Sequence, residues 1–267
     1  KMLGTTVSLL LLLLGFCSAD DDNLHEHEKV DPTKGEDITS TILRMNNESA
    51  DFLLEGDLFI PKKRNAMKCL NDAFNCLWPK SSDGKVWLPY LISEKYDQDE
   101  VDTILKALKD FHTKTCIRFK PRQGERMYLS FEPKHGCFSA MGRVGEKQTV
   151  SLQRFGCVRH GVIQHEVLHA LGFYHEHTRS DRDKYISILW DNIIDHYVYN
   201  FDKKETNNLN TPYDYGSIMH YGRDAFGINR KETMIPIPDS SVDIGQREVM
   251  SAIDVLRVNK LYKCDGY

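Results

Sequence analysis

Three histidines and one glutamate carry the clearest chemistry in this sequence. The segment Gly161-Val162-Ile163-Gln164-His165-Glu166-Val167-Leu168-His169-Ala170-Leu171-Gly172-Phe173-Tyr174-His175 sets His165 and His169 one helical turn apart. On a helix those two imidazoles leave the same face and can share a divalent ion. Glu166 is rotated about 100° from His165, so its carboxylate can take a proton from an attacking water without displacing that water. Two histidines leave zinc under-coordinated; His175 supplies a third ligand and a fourth position stays open. His175 cannot continue the helical register, so the chain must turn, and Gly172 is the residue able to adopt a left-handed conformation and end the helix. Three histidines beside a glutamate describe a catalytic Zn2+ site, one ion per chain, rather than a closed structural one. Zinc brings the pKa of a water to about 7, and Glu166 is the general base that accepts its proton. His160, His177, His196 and His220 read as ordinary satisfied polar residues.

The elements that must position these groups are legible in outline. Val86 to Ile92 has the composition of a strand, whose Pro89 favours an edge or a terminus. Val101, Ile104, Leu105, Leu108 and Phe111 recur at helical spacing. Short β-rich stretches follow at Cys116 to Phe119, Met127 to Phe131 and Gln148 to Leu152. A mixed sheet with a helix packed on it is therefore expected to precede the histidine-bearing helix. Forty per cent hydrophobic and 28% charged residues suit a soluble globular protein, and a net charge of −4 gives no reason to expect a nucleic-acid partner.

Residues 1–19 read as a signal peptide: Lys1, an apolar run from Val7 to Phe16, then Ser18 and Ala19. The run is shorter than the roughly 20 residues that cross a bilayer, so no membrane anchor is expected. The implied localisation is secreted and extracellular, with secretory granules as one route. Removal of Cys17 leaves Cys69, Cys76, Cys116, Cys137, Cys157 and Cys264, an even set for an oxidising compartment. Sequence proximity suggests Cys69 with Cys76; the other pairings stay open. From Asp20 to about Ser49 the chain is polar and acidic without a sustained period, a leader rather than a domain. Asn47-Glu48-Ser49 is a glycosylation sequon, with Asn47 as acceptor. Lys62-Lys63-Arg64 marks cleavage after Arg64 by an activating protease, giving a propeptide over 20–64 and a body over 65–267 that starts at Asn65.

At this point the sequence resembles the astacin family of metzincin peptidases, most closely the fish hatching enzymes and their six-cysteine relatives. His175 continues as Glu176-His177-Thr178-Arg179-Ser180-Asp181-Arg182-Asp183, similar to the family's extended signature, and Ser217-Ile218-Met219-His220-Tyr221 resembles its Met-turn. The resemblance implies an α+β, two-lobed metzincin fold: an N-terminal lobe with a mixed twisted sheet and long helices, and an irregular C-terminal lobe. It implies that Met219 floors the metal, and that Tyr221 ligates zinc at rest and stabilises the oxyanion in turnover. Glu176 would receive the new amino terminus of Asn65 through water. Phe52 to Asp57 is similar to the family's inhibitory aromatic-x-Gly-Asp stretch, with Leu54 in the aromatic position and Asp57 on the zinc until the leader is removed. Disulfides Cys116 with Cys264 and Cys137 with Cys157 follow by similarity. So do an extended peptide along the edge strand from Ser139 to Arg143, an Arg230 that favours acidic residues after the scissile bond, extracellular protein substrates that include egg-envelope protein, a monomer, and no recognition module beyond Cys264. A six-cysteine relative with a role in another tissue, an inert secreted zinc-containing binding protein and a structural coat component are the competing readings. Glu166 opposes the second, and a removable leader opposes the third.

Overall fold

The computed structural model describes residues 36–49, 52–59, 76–246 and 248–267. The expected signal peptide, Lys62 to Arg64, Asn65 and Cys69 lie outside that set.

A short helix opens the described chain. Asp37 accepts a hydrogen bond from the Ser40 N–H and caps α1, Ile38–Met45. Ile38, Ile42 and Met45 form its buried stripe. The leader is thus not without packing, contrary to its composition: two helical turns suffice for three apolar contacts, a pattern too short to register as a period. The buried Asn46 side chain then ties this N-terminal stretch to β6, donating to the carbonyls of Gly56 and Cys137 and accepting from the Cys137 N–H. Asn47 is exposed in the turn after α1.

Two very short strands follow, β1 (Leu53–Leu54) and β2 (Leu58–Phe59), joined by a turn over Glu55, Gly56 and Asp57. The body contributes β3 (Val86–Ile92), α2 (Gln98–Lys114), β4 (Ile117–Pro121), β5 (Tyr128–Glu132), β6 (Cys137–Ala140), β7 (Lys147–Leu152) and α3 (His160–Leu171). The seven strands lie in the order β1-β2-β6-β7-β5-β3-β4. The sheet is mixed: β1 with β2 and β6 with β7 are antiparallel, whereas β3 with β4 and β5, β5 with β7, and β2 with β6 are parallel. β3 is interior, not an edge. Its Pro89 pairs with Lys120 of β4, but pairing with β5 begins only at Tyr90, opposite Leu129, so the missing N–H falls where β3 is paired on one side only.

α2 starts in a capping box between Asp97 and Glu100 and buries Ile104, Ala107, Leu108 and Phe111. That face joins Leu88, Ile117, Leu129, Phe131 and Val150 of the sheet and Val162, Ile163 and Val167 of α3 in the larger core. Beyond α3 regular structure thins to 3-10 turns and the antiparallel pair of β8 (Ile186–Ile188) with β9 (Met234–Pro236), around a smaller core of Ile186, Ile193, Phe201, Tyr213, Tyr221 and Met234. The closing helix α4, Ala252–Leu261, returns to the larger core through Val258. Disulfides join Cys116 to Cys264 and Cys137 to Cys157. Cys76 is also disulfide-bonded, while its expected partner Cys69 is outside the described residues. Among the described residues no helix is long and apolar enough to cross a membrane.

Candidate metal centre

α3 is buried along its length from Gly161 to Leu171, which fixes the rotation of every side chain on it. His165 and His169 consequently project together, their Nε2 atoms 3.1 Å apart. Gly172 ends the helix with φ 107°, in the left-handed region, and its N–H bonds back to the His169 carbonyl. The turn brings His175 round until its Nε2 is 3.2 Å from that of His165. Asp57 enters from the β1–β2 turn: one carboxylate oxygen lies 2.9 Å from His165 Nε2 and 3.2 Å from His175 Nε2, the other 3.3 Å from His169 Nε2. These four residues, all buried, offer ligand atoms within 4.8 Å of one another.

The outer face of each ring shows what the inner face is for. His165 Nδ1 meets the Ile218 carbonyl at 2.8 Å, His169 Nδ1 the Phe173 carbonyl at 2.7 Å, and His175 Nδ1 the Glu55 carboxylate at 2.8 Å. Each acceptor assigns the ring proton to Nδ1, which leaves three Nε2 lone pairs pointing at one another and at a carboxylate. Four acceptor atoms in one buried space repel unless a cation sits among them, so the donor set fits Zn2+.

Burial and neighbouring charge act on each of these groups. Burial would raise Asp57, but His175, His169 and His165 hold its carboxyl well below the usual range. Burial takes His165 down to about 4, whereas in His175 it is outweighed by Asp57 and Glu55, which lift that ring to about 9. Glu166 is fully buried, and neither carboxylate oxygen has a hydrogen-bond partner among the described residues. Burial, and then the charge of Asp57, push it well above the normal range. A buried, unpartnered carboxylate has a high proton affinity, the property a general base needs.

The irregular half supplies the rest. Met219 is buried in the turn whose preceding residue, Ile218, orients His165. The Tyr221 ring lies 4.7 Å from that of His175 and is stacked on His177 at 3.8 Å, and its hydroxyl donates to the Glu55 carbonyl at 2.5 Å. Glu176 is buried beside His175, and its carboxylate accepts from both Arg257 Nη atoms, from Arg179 and from the Asp214 N–H. Ser139 is buried on β6, and the outer edge of β6 is covered by β2, with Leu58 opposite Ser139 and Phe59 opposite Ala140. Arg143 holds the Leu77 carbonyl through Nε at 2.9 Å. Arg230 is exposed in the turn Ile228–Arg230 and, among the described residues, does not line the cleft that runs past Phe138, Met141, Tyr174 and Lys204. His160, His177 and His220 all bond elsewhere: His160 faces Asp110, His177 the Asn200 carbonyl, and His220 the Tyr213 hydroxyl.

Sequence reasoning missed Glu55, Asn200, Lys204, Asp254 and Arg257. Glu55 stood in the unspecified position of its motif. The others had no local signal, because their partners are far away in sequence.

A model of the peptidase family Astacin matches residues 77–263. The low choriolytic enzyme of Oryzias latipes is 59% identical over 98% of this chain and 99% of its own. High choriolytic enzyme 1 of the same fish is 51% identical over 97% and 98%. The solved structure of that second protein, described as a hatching enzyme zinc-protease, superposes with a TM-score of 0.69 at 54% identity, covering 71% of this chain and 96% of the other.

Proposed function

The chain belongs to the astacin family of zinc metalloendopeptidases, and from that membership we propose a secreted hatching peptidase, made as a precursor, whose substrate is egg-envelope protein. The enzyme class is given by the family: it hydrolyses protein substrates with zinc. The proposal adds the compartment, the activation step, the residue roles and the substrate.

When bound, Zn2+ supplies Lewis-acid charge that polarises the scissile carbonyl and acidifies the attacking water. His165, His169 and His175 would hold it, with Asp57 as the fourth donor in the precursor. Glu166 accepts the proton from water and passes it to the leaving amine, a role its partnerless, buried carboxylate suits. Tyr221 donates its phenolic proton to the developing oxyanion once its hydroxyl leaves the Glu55 carbonyl. The outer edge of β6 pairs with the peptide main chain, which gives affinity with little sequence preference. Residues 1–19 direct secretion and 20–64 inhibit. An activating protease cuts after Arg64 and leaves 65–267 as a monomeric catalytic domain whose Asn65 amino terminus approaches Glu176. Asn47 carries glycan on the exposed turn, and Arg230 meets acidic residues after the scissile bond only if its loop moves toward the cleft.

The observation that supports this most is Asp57. It comes from outside the matched region 77–263, yet its carboxylate sits among the three Nε2 atoms while the strand beside it covers β6. A segment placed there blocks both the ion and the peptide edge. The test is to secrete the full chain from cultured cells, cut it after Arg64, and assay casein and egg-envelope protein with and without chelator. Activity that appears on cleavage, disappears with chelator and is higher on envelope protein than on casein is the expected result. Equal digestion of both substrates removes the hatching assignment, and full activity before cleavage removes the precursor.

A further inference from the structure

We propose that Glu55 is the outer partner that orients His175 in the metal centre, so that the leader contributes both a metal donor and the residue that aims another. The proposal rests on the reading of residues 20–64 as a removable leader.

Glu55 is fully buried with φ 52°, a left-handed conformation that a glutamate adopts only when its surroundings hold it there. Its polar groups face the body, and all but one carboxylate oxygen hydrogen-bond to it. Its N–H donates to Asn200 Oδ1 at 2.8 Å, and its carbonyl accepts the Tyr221 hydroxyl. One carboxylate oxygen accepts from His175 Nδ1 at 2.8 Å, and Lys204 Nζ lies 3.6 Å from the other. His165 and His169 are oriented by carbonyls of the body, Ile218 and Phe173, which stay when the leader goes. The outer partner of His175 alone belongs to the leader.

A carboxylate on the outer nitrogen fixes the tautomer and raises the basicity of the inner one, and losing such a partner typically weakens metal binding about 10- to 100-fold. The full chain therefore holds zinc more tightly than the cleaved enzyme for two separable reasons: the Asp57 donor and the Glu55 orienter. Cleavage withdraws both and frees the Tyr221 hydroxyl in the same step.

The experiment measures zinc dissociation from the full-length chain into a competing chelator, for the unaltered protein, Glu55→Ala and Glu55→Gln, with the cleaved enzyme alongside. Hydrogen exchange across residues 53–59 reports whether the leader stays docked. Glu55→Ala is expected to weaken zinc binding by about 10- to 100-fold with the leader docked. Glu55→Gln weakens it less, because its amide oxygen still accepts from Nδ1 without carrying charge. Identical zinc release from all three full-length proteins overturns the proposal. So does undocking in Glu55→Ala together with an unchanged Glu55→Gln, which would assign Glu55 to holding the leader rather than the histidine. Cleavage that yields no peptidase activity counts against the precursor reading alone, since zinc release from the full chain still decides the role of Glu55.

Discussion

The half of the molecule from β3 to α3 and the stretch from Phe173 to Met250 build the same site by different means. In the first, periodic backbone structure does the positioning: α3 packs against α2 and the sheet, and its buried register fixes His165, Glu166 and His169 together. In the second, irregular chain between short 3-10 turns and one two-stranded pair carries His175, Met219 and Tyr221. There, buried side chains bonded to distant backbone do what a ladder does elsewhere. Glu176 binds Arg257, Arg179 and the Asp214 N–H, and Asp254 takes the Ser217 hydroxyl and the Ile218 N–H. Charge is structural in the irregular half and mostly peripheral in the regular one.

The largest expected effect falls in the regular half, where a side chain can be removed without moving its neighbours. Glu166→Ala should lower kcat about 10²- to 10⁴-fold while zinc content stays at one ion per chain, because Glu166 makes no hydrogen bond among the described residues that holds α3 in place. Steady-state kinetics with metal analysis checks this. A variant that loses its zinc as well would mean that α3 depends on Glu166 for its geometry, and the contrast between the halves would weaken.

Next comes a pair of arginines, one bracing each half. Arg257→Ala leaves the buried Glu176 carboxylate with Arg179 at 3.3 Å as its remaining cation. Breaking a buried pair in this way costs about 3–5 kcal/mol. Arg154 also holds two carboxylates, Asp97 and Glu100, but its side chain is 37% exposed and the pair is screened by solvent, so Arg154→Ala should cost far less. Urea unfolding of both variants measures the difference. Equal losses would erase the distinction.

What the sequence disclosed follows the same division. His165, His169 and Gly172 were legible because helical spacing ties sequence separation directly to geometry, and β3, β4, β5 and β7 because their β-rich runs are bounded by turns. Pro89 misled because strand position was judged from one residue, whereas pairing on each side of β3 starts at a different residue. α1 was overlooked because its three apolar contacts span only two turns. Arg257 is 81 residues from Glu176, and Asp254 is 37 from Ser217. No local pattern links such partners; only the fold brings them together. His175 and Tyr221 lie in this irregular half too, and were found through motif resemblance rather than periodicity.

Asp254 offers the finest test of how the irregular half is held. Burial raises its carboxyl from 3.8 to about 6, even though the Ser217 hydroxyl and the N–H groups of Ile218 and Ser251 all favour the charged form. Because the folded protein binds this proton more tightly than the unfolded chain, the contribution of Asp254 to stability is greatest in acid. It falls as the pH rises through about 4 to 6, by on the order of 3 kcal/mol. Asp254→Asn cannot titrate there. The unfolding free energy of the unaltered protein minus that of the variant should therefore decline across that window, and zinc release in acid, common to both proteins, largely cancels in the difference. A flat difference would mean that the three donors fully compensate the burial, and that the turn carrying Met219 hangs from an ordinary carboxylate.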